Sequence, residues 1–129
     1  MSWTEDKRMM LQKYPRCQVY INVKGRPHQC RLTAEDMDHC IIRRNKKFEK
    51  YINSLEWNFQ PSCIVCNRLT HATDTAINRE LWFEHQLKAY GVERIREDLE
   101  RAPEKMKLHN TDYGDAIKWL SRHLGEETK

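Results

Sequence analysis

Residues 37–71 are the stretch of sequence that decides the fold. They begin with Met37-Asp-His-Cys-Ile-Ile-Arg-Arg44 and contain, toward their end, Asn58-Phe-Gln-Pro-Ser-Cys-Ile-Val-Cys-Asn67. The β-branched residues that follow Asp38 and His39 predict a short strand over residues 37–42. Because successive side chains of a strand point to opposite faces, Asp38 and His39 can reach one site only at a strand end or a bulge.

The second half of this stretch predicts another strand and then a helix. Residues 59–62 suit the strand, and Pro61 confines it to a sheet edge because proline has no N–H for a ladder hydrogen bond. The helix begins at about Ile64 and carries Asn67 and His71 one turn apart on one face. Residues 45–57 connect the two strands as a long, basic, partly helical segment, and connections of this size inside a small domain are usually functional.

The flanking sequence predicts a second hairpin and several helices. The strand that begins at Cys17 is rich in β-branched and aromatic residues up to Val23. Lys24-Gly25-Arg26-Pro27 suits a turn, and residues 28–32 suit the returning strand. Apolar spacing of three and four residues, with Pro or Gly at the ends, predicts helices over residues 2–14, 78–90, 92–101 and 111–124. The last helix has an expected buried stripe of Tyr113, Ile117, Leu120 and Leu124.

Composition indicates one soluble domain. The 129 residues suffice for a single modest core, and 33% of them are charged. No apolar run approaches the roughly 20 residues that span a membrane, and the N-terminal segment lacks the apolar core of a signal peptide, so we expect a cytoplasmic protein. A net charge of +4 permits phosphate contacts without requiring them. Five cysteines in a reducing compartment favour metal ligands or buried thiols over disulfides.

The order Asp-His, then Asn, then Cys-x-x-Cys-Asn in residues 38–67 resembles the signature of the HNH (His-Asn-His) endonuclease superfamily. On that resemblance His39, Asn58 and Asn67 are the three signature residues. The resemblance implies an α+β fold with a ββα-metal core at about residues 17–75, flanked by the helices at residues 2–14 and 78–124. It also implies a phosphodiester hydrolase that cuts DNA and leaves 5′-phosphate and 3′-hydroxyl ends.

Two later segments, Asn78-Arg-Glu-Leu-Trp82 and Tyr90-Gly-Val-Glu-Arg-Ile95, follow the cysteines in an order similar to that of small phage recombination endonucleases of the NinG/Rap type. The Cys-x-x-Cys-Asn step is similar to that of phage endonuclease VII, in which the asparagine is a metal ligand. The resemblance therefore implies branched or recombination DNA as substrate, and a phage protein in the cytoplasm of a bacterial host. A homodimer is compatible with such an activity, although no interface can be read from the sequence.

The chemistry of phosphodiester hydrolysis assigns roles to these residues. A neutral imidazole can deprotonate water, which makes His39 the candidate general base. A divalent cation, Mg²⁺ or Mn²⁺, neutralises the phosphate and stabilises the leaving oxygen, and it prefers oxygen ligands. Asp38 supplies one ligand and either Asn67 or His71 another, a choice that the sequence leaves open. By the resemblance, Asn58 supports the site by fastening the loop with backbone hydrogen bonds.

Cys63-x-x-Cys66 has the spacing of half a tetrahedral zinc site, although redox pairs and buried thiols share that spacing. The four-cysteine HNH pattern has a second Cys-x-x-Cys upstream of Asp-His, and this chain departs from it. We expect Cys17 and Cys30, brought together by the first hairpin, to complete a structural Zn²⁺ site, with His28 as a substitute ligand.

A run of basic residues after His39 is the candidate DNA-binding element. Arg43, Arg44, Lys46 and Lys47 can contact backbone phosphates, which is the part of DNA binding that does not depend on sequence. The alternative is that these charges form only a solvated loop, the usual fate of such a run.

Two other classes of protein fit parts of the sequence. A non-catalytic zinc-stapled module that binds DNA or a protein partner would keep the cysteines and make Asp38-His39 incidental. An enzyme with Cys40 or Cys66 as nucleophile would need an activated thiol, for which the sequence has no helix-start or partner pattern. We expect Cys40 to be a buried thiol. The tryptophans Trp57 and Trp82 could stack on unpaired bases, but packing is the commoner role.

Overall fold

Two short antiparallel hairpins and a set of helices make up the chain in a computed structural model, which describes residues 3–23, 26–29, 32–63 and 76–124. The helices are α1 (Trp3–Lys13), α2 (Glu49–Asn53), α3 (Ala76–Tyr90), α4 (Val92–Glu100), α5 (Glu104–His109) and α6 (Thr111–Leu124). The strands are β1 (Tyr20–Val23), β2 (Arg26–Gln29), β3 (Asp36–His39) and β4 (Phe59–Ser62). The general α+β class is therefore confirmed.

The hairpins form separate two-stranded sheets, β1 with β2 and β3 with β4. In the second hairpin the antiparallel register runs from Asp36 opposite Ser62 to His39 opposite Phe59. The strand predicted over residues 59–62 has the observed bounds, and β3 is its one partner among the described strands. Pro61 therefore lies in an edge strand, as its missing N–H requires.

The hydrophobic core is built mainly by α3, α4 and α6 and by the connection between β3 and β4. The helices supply apolar side chains at the predicted spacing, such as Phe83, Leu87, Ile95 and Leu99, each at most 3% exposed. Between α3 and α4 the chain turns at Gly91, whose φ of 94° lies in the region that favours glycine. None of the described helices is both long enough and apolar enough to cross a lipid bilayer.

The connection between β3 and β4 is folded into short helical turns and anchored in the core. Two 3₁₀ turns, Lys46–Phe48 and Glu56–Asn58, flank α2. Within the connection Ile52 and Trp57 are completely buried, and the Trp57 Nε1–H donates a hydrogen bond to Asp98 Oδ2 on α4 at 2.8 Å. The predicted partly helical connection is therefore confirmed, and Trp57 has the packing role that was favoured for it.

The last helix buries half of the stripe that its apolar spacing predicts. Tyr113 and Leu120 are buried as predicted, together with Ala116. The prediction was wrong for Ile117 and Leu124, which are 36% and 38% exposed. A small alanine, which an apolar pattern undervalues, occupies the face toward the core in place of Ile117.

Several elements also differ from the predictions in extent. β1 begins at Tyr20 instead of Cys17, β2 begins before residue 28, and α3 begins at Ala76. The sequence does not predict α5, because Met106 is its one buried residue and no apolar repeat marks it. The helix expected from about Ile64 falls in residues that the structure does not describe.

Residues 41–43 follow the end of β3 and lie outside the described helices and strands, yet Ile41 and Ile42 are completely buried. Buried backbone N–H and C=O groups require hydrogen-bond partners, because an unpaired one costs about 1–3 kcal/mol. Side chains supply the partners here. Arg79 on α3 donates two hydrogen bonds to the Ile41 carbonyl, from Nε at 3.1 Å and from Nη2 at 2.7 Å.

Asn58 and Asp112 bind the backbone of the two residues that follow Ile41. Asn58 Oδ1 accepts from the Ile42 N–H at 2.6 Å, and Asn58 Nδ2 donates to the Ile42 carbonyl at 2.8 Å. Asp112 Oδ2 on α6 accepts from the Arg43 N–H at 2.9 Å. We refer to the three side chains Arg79, Asn58 and Asp112 as the backbone clamp.

The charged members of the backbone clamp neutralise each other. Arg79 is 7% exposed, and its guanidinium lies 3.3 Å from Asp112 Oδ1 and 3.1 Å from Asp115 Oδ2. The Arg43 side chain adds hydrogen bonds of 3.0 and 2.9 Å to Asp112. Burial alone would raise the pKa of Asp112, but the hydrogen bonds from Arg43 and the charge of Arg79 outweigh it and hold the pKa below its ordinary value. Asp112 is therefore ionised at neutral pH.

Asp112→Asn should lower the free energy of unfolding by about 3 kcal/mol, because it removes the more buried of the two carboxylates that face the buried Arg79. Urea unfolding monitored by circular dichroism measures this loss. Since the folded pKa of Asp112 is depressed, its stabilisation is present above the unfolded-state value of about 3.9 and is lost as the pH falls further. The difference in the free energy of unfolding between wild type and Asp112→Asn should therefore shrink below about pH 4.

The matched control is Glu80→Gln, which breaks an exposed pair between Glu80 and Arg122 at 2.9 Å. Surface pairs contribute about 0–1 kcal/mol, so this variant should stay within that range of wild type. Equal effects of the two substitutions would contradict the assignment of Asp112 to the backbone clamp.

Candidate active site

His39 is the last residue of β3, and two neighbours fix its imidazole. Its Nε2 lies 2.9 Å from Asn53 Oδ1 at the end of α2. Its ring meets Phe59 edge-on, with the ring centroids 4.6 Å apart. An amide oxygen can only accept a hydrogen bond, so this contact favours the tautomer with the hydrogen on Nε2. A neutral imidazole in that tautomer accepts a proton through Nδ1.

The surroundings of His39 favour its neutral form. Burial is the largest effect and lowers the pKa of His39 below its ordinary value, and the positive charge of Arg44 acts in the same direction. The hydrogen bond to Asn53 and the carboxylates of Asp36 and Glu49 oppose this shift without reversing it. His39 is therefore unprotonated at neutral pH, which is the state that a general base requires.

Asp38 lies on the other side of the strand end from His39. Asp38 is opposite Gln60 and His39 is opposite Phe59 in the hairpin, and neighbouring side chains of a strand alternate between its faces. The two residues therefore flank the end of β3 instead of sharing one face. β3 ends at His39, three residues before the predicted end at Ile42, so the predicted strand was wrong in extent and Asp38 and His39 lie at a strand end.

Cys40 is a buried thiol, as predicted, with 3% of its surface exposed. Burial raises the pKa of the Cys40 thiol well above its ordinary value, and the charge of Asp38 raises it further. Because the thiolate is the nucleophilic form, this environment argues against Cys40 as a catalytic nucleophile. The other candidate nucleophile, Cys66, lies outside the described residues.

Asn58 makes the hydrogen bonds that fasten the segment after His39. It is completely buried at the end of the 3₁₀ turn that leads into β4. Besides the two side-chain bonds to Ile42, its backbone carbonyl accepts from the Cys40 N–H at 3.0 Å. The chain that leaves β3 is thus tied to the chain that enters β4, which keeps the two ends of the connection together.

An open groove of about 630 Å³ lies beside α2. It is lined by three lysines, two carboxylates and two small polar side chains: Lys46, Lys47, Lys50, Asp6, Glu49, Asn53 and Ser54. Asn53 is also the hydrogen-bond partner of His39, so one residue belongs both to the groove and to the surroundings of the imidazole. His39 itself is not among the residues that line the groove, whereas two of the predicted phosphate-contacting residues, Lys46 and Lys47, are.

The two arginines of the basic run have partners within the protein. Arg43 is paired with Asp112, although its side chain remains 66% exposed. On the surface, Arg44 Nη2 lies 3.5 Å from Glu49 Oε1. Arg43 therefore stabilises the fold, a role that the charge pattern of the sequence does not reveal.

Two of the four predicted zinc ligands lie together. Cys17 and Cys63 form a small buried cluster with Val19, separate from the main core. The Cys17 N–H donates to the Leu32 carbonyl at 2.5 Å, which holds this cysteine next to the first hairpin. The remaining predicted ligands fall outside the described residues: Cys30, Cys66, Asn67 and His71. The described residues alone contain no group of three or more His, Cys, Asp and Glu side chains that could hold a metal ion.

Arg79, Asp112 and Asn53 are the site-supporting residues that the sequence prediction missed. Arg79 precedes Phe83 by four residues and therefore lies on the apolar face of α3. In the same way, Asp112 precedes the buried Ala116 by four residues on α6. For Arg79 and Asp112 the sequence did contain a signal, because each is a charged residue at helical spacing from an apolar residue of the buried face. No sequence signal distinguishes Asn53.

Comparison with protein-family models, with curated proteins and with solved structures gives no match to this chain. The resemblance to HNH endonucleases therefore stays a prediction from the residues of the signature.

Asn53→Asp should raise the pKa of His39, because a carboxylate at this hydrogen-bond distance stabilises the imidazolium. Opposite charges at such separations shift a pKa by about 1–3 units. The imidazole would then be protonated at a higher pH than in wild type. Titration of the His39 ring proton signals by nuclear magnetic resonance measures the shift without requiring any activity.

Asn45→Asp is the control for this titration, because Asn45 lies in the same connection but caps a 3₁₀ turn through Lys47 N–H. It should leave the His39 pKa nearly unchanged. Equal shifts in the two variants, or no rise in Asn53→Asp, would contradict the contact between His39 and Asn53.

Proposed function

We propose that this protein is a metal-dependent DNA endonuclease of the HNH type, which hydrolyses phosphodiester bonds. His39 takes the proton from the attacking water, and Asp38 together with Asn67 or His71 holds Mg²⁺ or Mn²⁺. In this proposal β3, β4 and the helix expected from about Ile64 form the ββα-metal core. Branched or recombination DNA as the substrate follows from the sequence resemblance alone.

The contact between His39 and Asn53 is the observation that carries the proposal. The imidazole lies at the end of β3 with its Nε2 2.9 Å from Asn53 Oδ1, and Asn53 also lines the groove that contains the lysines. Burial lowers the pKa of His39, which favours the neutral ring that can accept a proton from water. A phosphate held by the lysines would be brought toward the base by way of Asn53.

Asp38 is the described residue that would hold the cation. It is a half-buried carboxylate, the kind of donor that Mg²⁺ prefers. When bound, the cation neutralises the phosphate and stabilises the leaving oxygen. In an in-line displacement the attacking and leaving oxygens are on opposite sides of phosphorus. Asp38 and His39, adjacent at the end of β3, would have to reach the phosphate from these two sides.

The basic residues of the connection would hold the DNA. Lys46 and Lys47 are exposed in the groove, and Arg44 is next to them in sequence. Contacts of lysine and arginine with backbone phosphates do not depend on sequence and weaken as the salt concentration rises. This arrangement would grip the strand while leaving recognition of its structure to other residues.

The cysteines support a structural role for Zn²⁺. Cys17 and Cys63 are buried together, and Cys30 and Cys66 would complete a tetrahedral set. This cluster by itself also supports the alternative function, a non-catalytic zinc-stapled module that binds DNA or a protein. In that alternative the neutral state of His39 has no catalytic use.

Nicking of supercoiled plasmid in the presence of Mg²⁺ or Mn²⁺ distinguishes the two functions. His39→Ala should lower the nicking rate by at least about 100-fold, since a positioned general base contributes a factor of about 10²–10⁴. Wild type and variant are compared at equal concentration after the same purification, and gel densitometry gives the rates.

His109→Ala is the matched control, because His109 is an exposed histidine at the end of α5. It should nick at the wild-type rate. Equal nicking by His39→Ala and wild type would assign the activity to another residue or to a contaminant. Absence of nicking by wild type with either cation would favour the non-catalytic module.

A further inference from the structure

A second cavity, of about 280 Å³, lies next to the candidate active site. Phe59 links the two, since its ring touches the His39 imidazole and also lines this cavity. We refer to the cavity as the aromatic pocket, after the side chains with rings that line it: Tyr14, Phe59, Trp82, His85 and Tyr90.

The aromatic pocket has the size and the walls for one planar ring system. Pockets for drug-sized ligands measure about 300–1,000 Å³, so this one suits a smaller molecule. On α3, the rings of Trp82 and His85 are stacked with an interplanar angle of 9° and centroids 4.7 Å apart. Trp82 is 2% exposed and belongs to the main core, so it backs the half-buried His85 ring, which is the member of the pair that would stack on a base. Aromatic side chains bind nucleobases by stacking, which every base can do.

The rim of the aromatic pocket carries charges that suit a nucleotide. Lys13 Nζ lies 5.4 Å from the centroid of the Tyr14 ring, and the Arg94 guanidinium lies 4.9 Å from that of Tyr90. The hydroxyls of Tyr14 and Tyr90 are 2.8 Å apart. This contact links the side of the pocket next to Lys13 with the side next to Arg94. Both cations also face Glu56, Lys13 Nζ at 2.6 Å from Oε1 and Arg94 Nη2 at 3.9 Å from Oε2. A phosphate beside a bound base would therefore share these cations with Glu56.

Glu56 adds a hydrogen-bond acceptor to the lining. The hydrogen bond from Lys13 is the main cause that lowers the pKa of Glu56 below its ordinary value, so the group is a carboxylate at neutral pH. An ionised carboxylate can only accept, and the amino groups on base edges are donors. Glu56 Oε1 already accepts from Lys13 Nζ at 2.6 Å and from the Tyr14 hydroxyl at 3.2 Å, so Oε2 is the atom that would accept from the edge of a base.

We propose that the aromatic pocket binds one unpaired nucleobase of a DNA strand, next to the phosphodiester that lies at His39. The inference deepens the proposed function and depends on it for DNA as the substrate. A base enters a pocket of this kind only when it is out of the helical stack. DNA with a bulge, a branch or a single-stranded end would therefore bind better than a continuous duplex.

Equilibrium binding to two duplexes of the same sequence tests this inference. One duplex carries a single bulged 2-aminopurine, and the other has that base paired. Binding is measured in the His39→Ala background without added divalent cation, so that the DNA stays intact. The bulged duplex should bind about tenfold more tightly, the gain from one stacked base. Its 2-aminopurine fluorescence should be quenched as the base stacks on the aromatic side chains.

Ala89→Trp fills the mouth of the pocket, since Ala89 is exposed and lines it. This substitution should abolish the tenfold preference. Lys88→Trp is the matched control, because Lys88 is the neighbouring exposed residue of α3 and should keep the preference. His85→Ala removes one of the stacked rings and serves as a second test, and thermal melting confirms that each variant is folded.

Equal binding of the two duplexes by folded protein, or a preference that survives both Ala89→Trp and His85→Ala, would overturn the inference. Plasmid nicking by wild type separates this failure from that of the proposed function. If wild type nicks plasmid but shows no preference for the bulge, the base site is refuted and the nuclease is supported. If Ala89→Trp abolishes a preference that wild type shows, but wild type does not nick, the base site is supported and the nuclease is refuted.

Discussion

The peptide groups of residues 41–43 lack the hydrogen-bond ladder of a helix or strand, although Ile41 and Ile42 are completely buried. Their partners are side chains of the backbone clamp, which come from α3, from the connection between β3 and β4, and from α6. These elements are far apart in sequence, so the segment is satisfied only when all of them are in place. Burying the charges of Arg79 and Asp112 costs free energy. The contacts between these side chains offset that cost when α3 and α6 are packed as in the folded structure.

This constraint determines where the candidate base lies. His39 is separated from residues 41–43 by Cys40 alone, so fixing that segment also fixes the end of β3. Asn53 then orients the imidazole, and Phe59 packs against its ring. The lysines of the same connection remain exposed because its apolar residues, such as Trp57, are buried beneath them. A rigid support with exposed polar groups above it is a common arrangement for binding and catalytic residues.

The sequence predicts the parts of this structure that local pattern controls. β4 has its predicted bounds, because proline, an aromatic residue and flanking polar residues mark it. The last helix also has its predicted bounds, but its buried face passes through Ala116 instead of Ile117, since the choice depends on neighbours distant in sequence. The pairing of Arg79 with Asp112, and the approach of Asn53 to His39, are long-range contacts between residues that no local signal connects.

Native-state hydrogen exchange at the Ile42 and Arg43 amides tests the backbone clamp most directly. These two N–H groups, bound only by side-chain oxygens in the described structure, should exchange as slowly as the amide of Phe83 in the buried part of α3. The Lys47 amide, which is bound by an exposed capping side chain, gives the fast reference. Exchange of Ile42 and Arg43 at the rate of Lys47 would contradict the claim that the clamp holds the end of β3 in place.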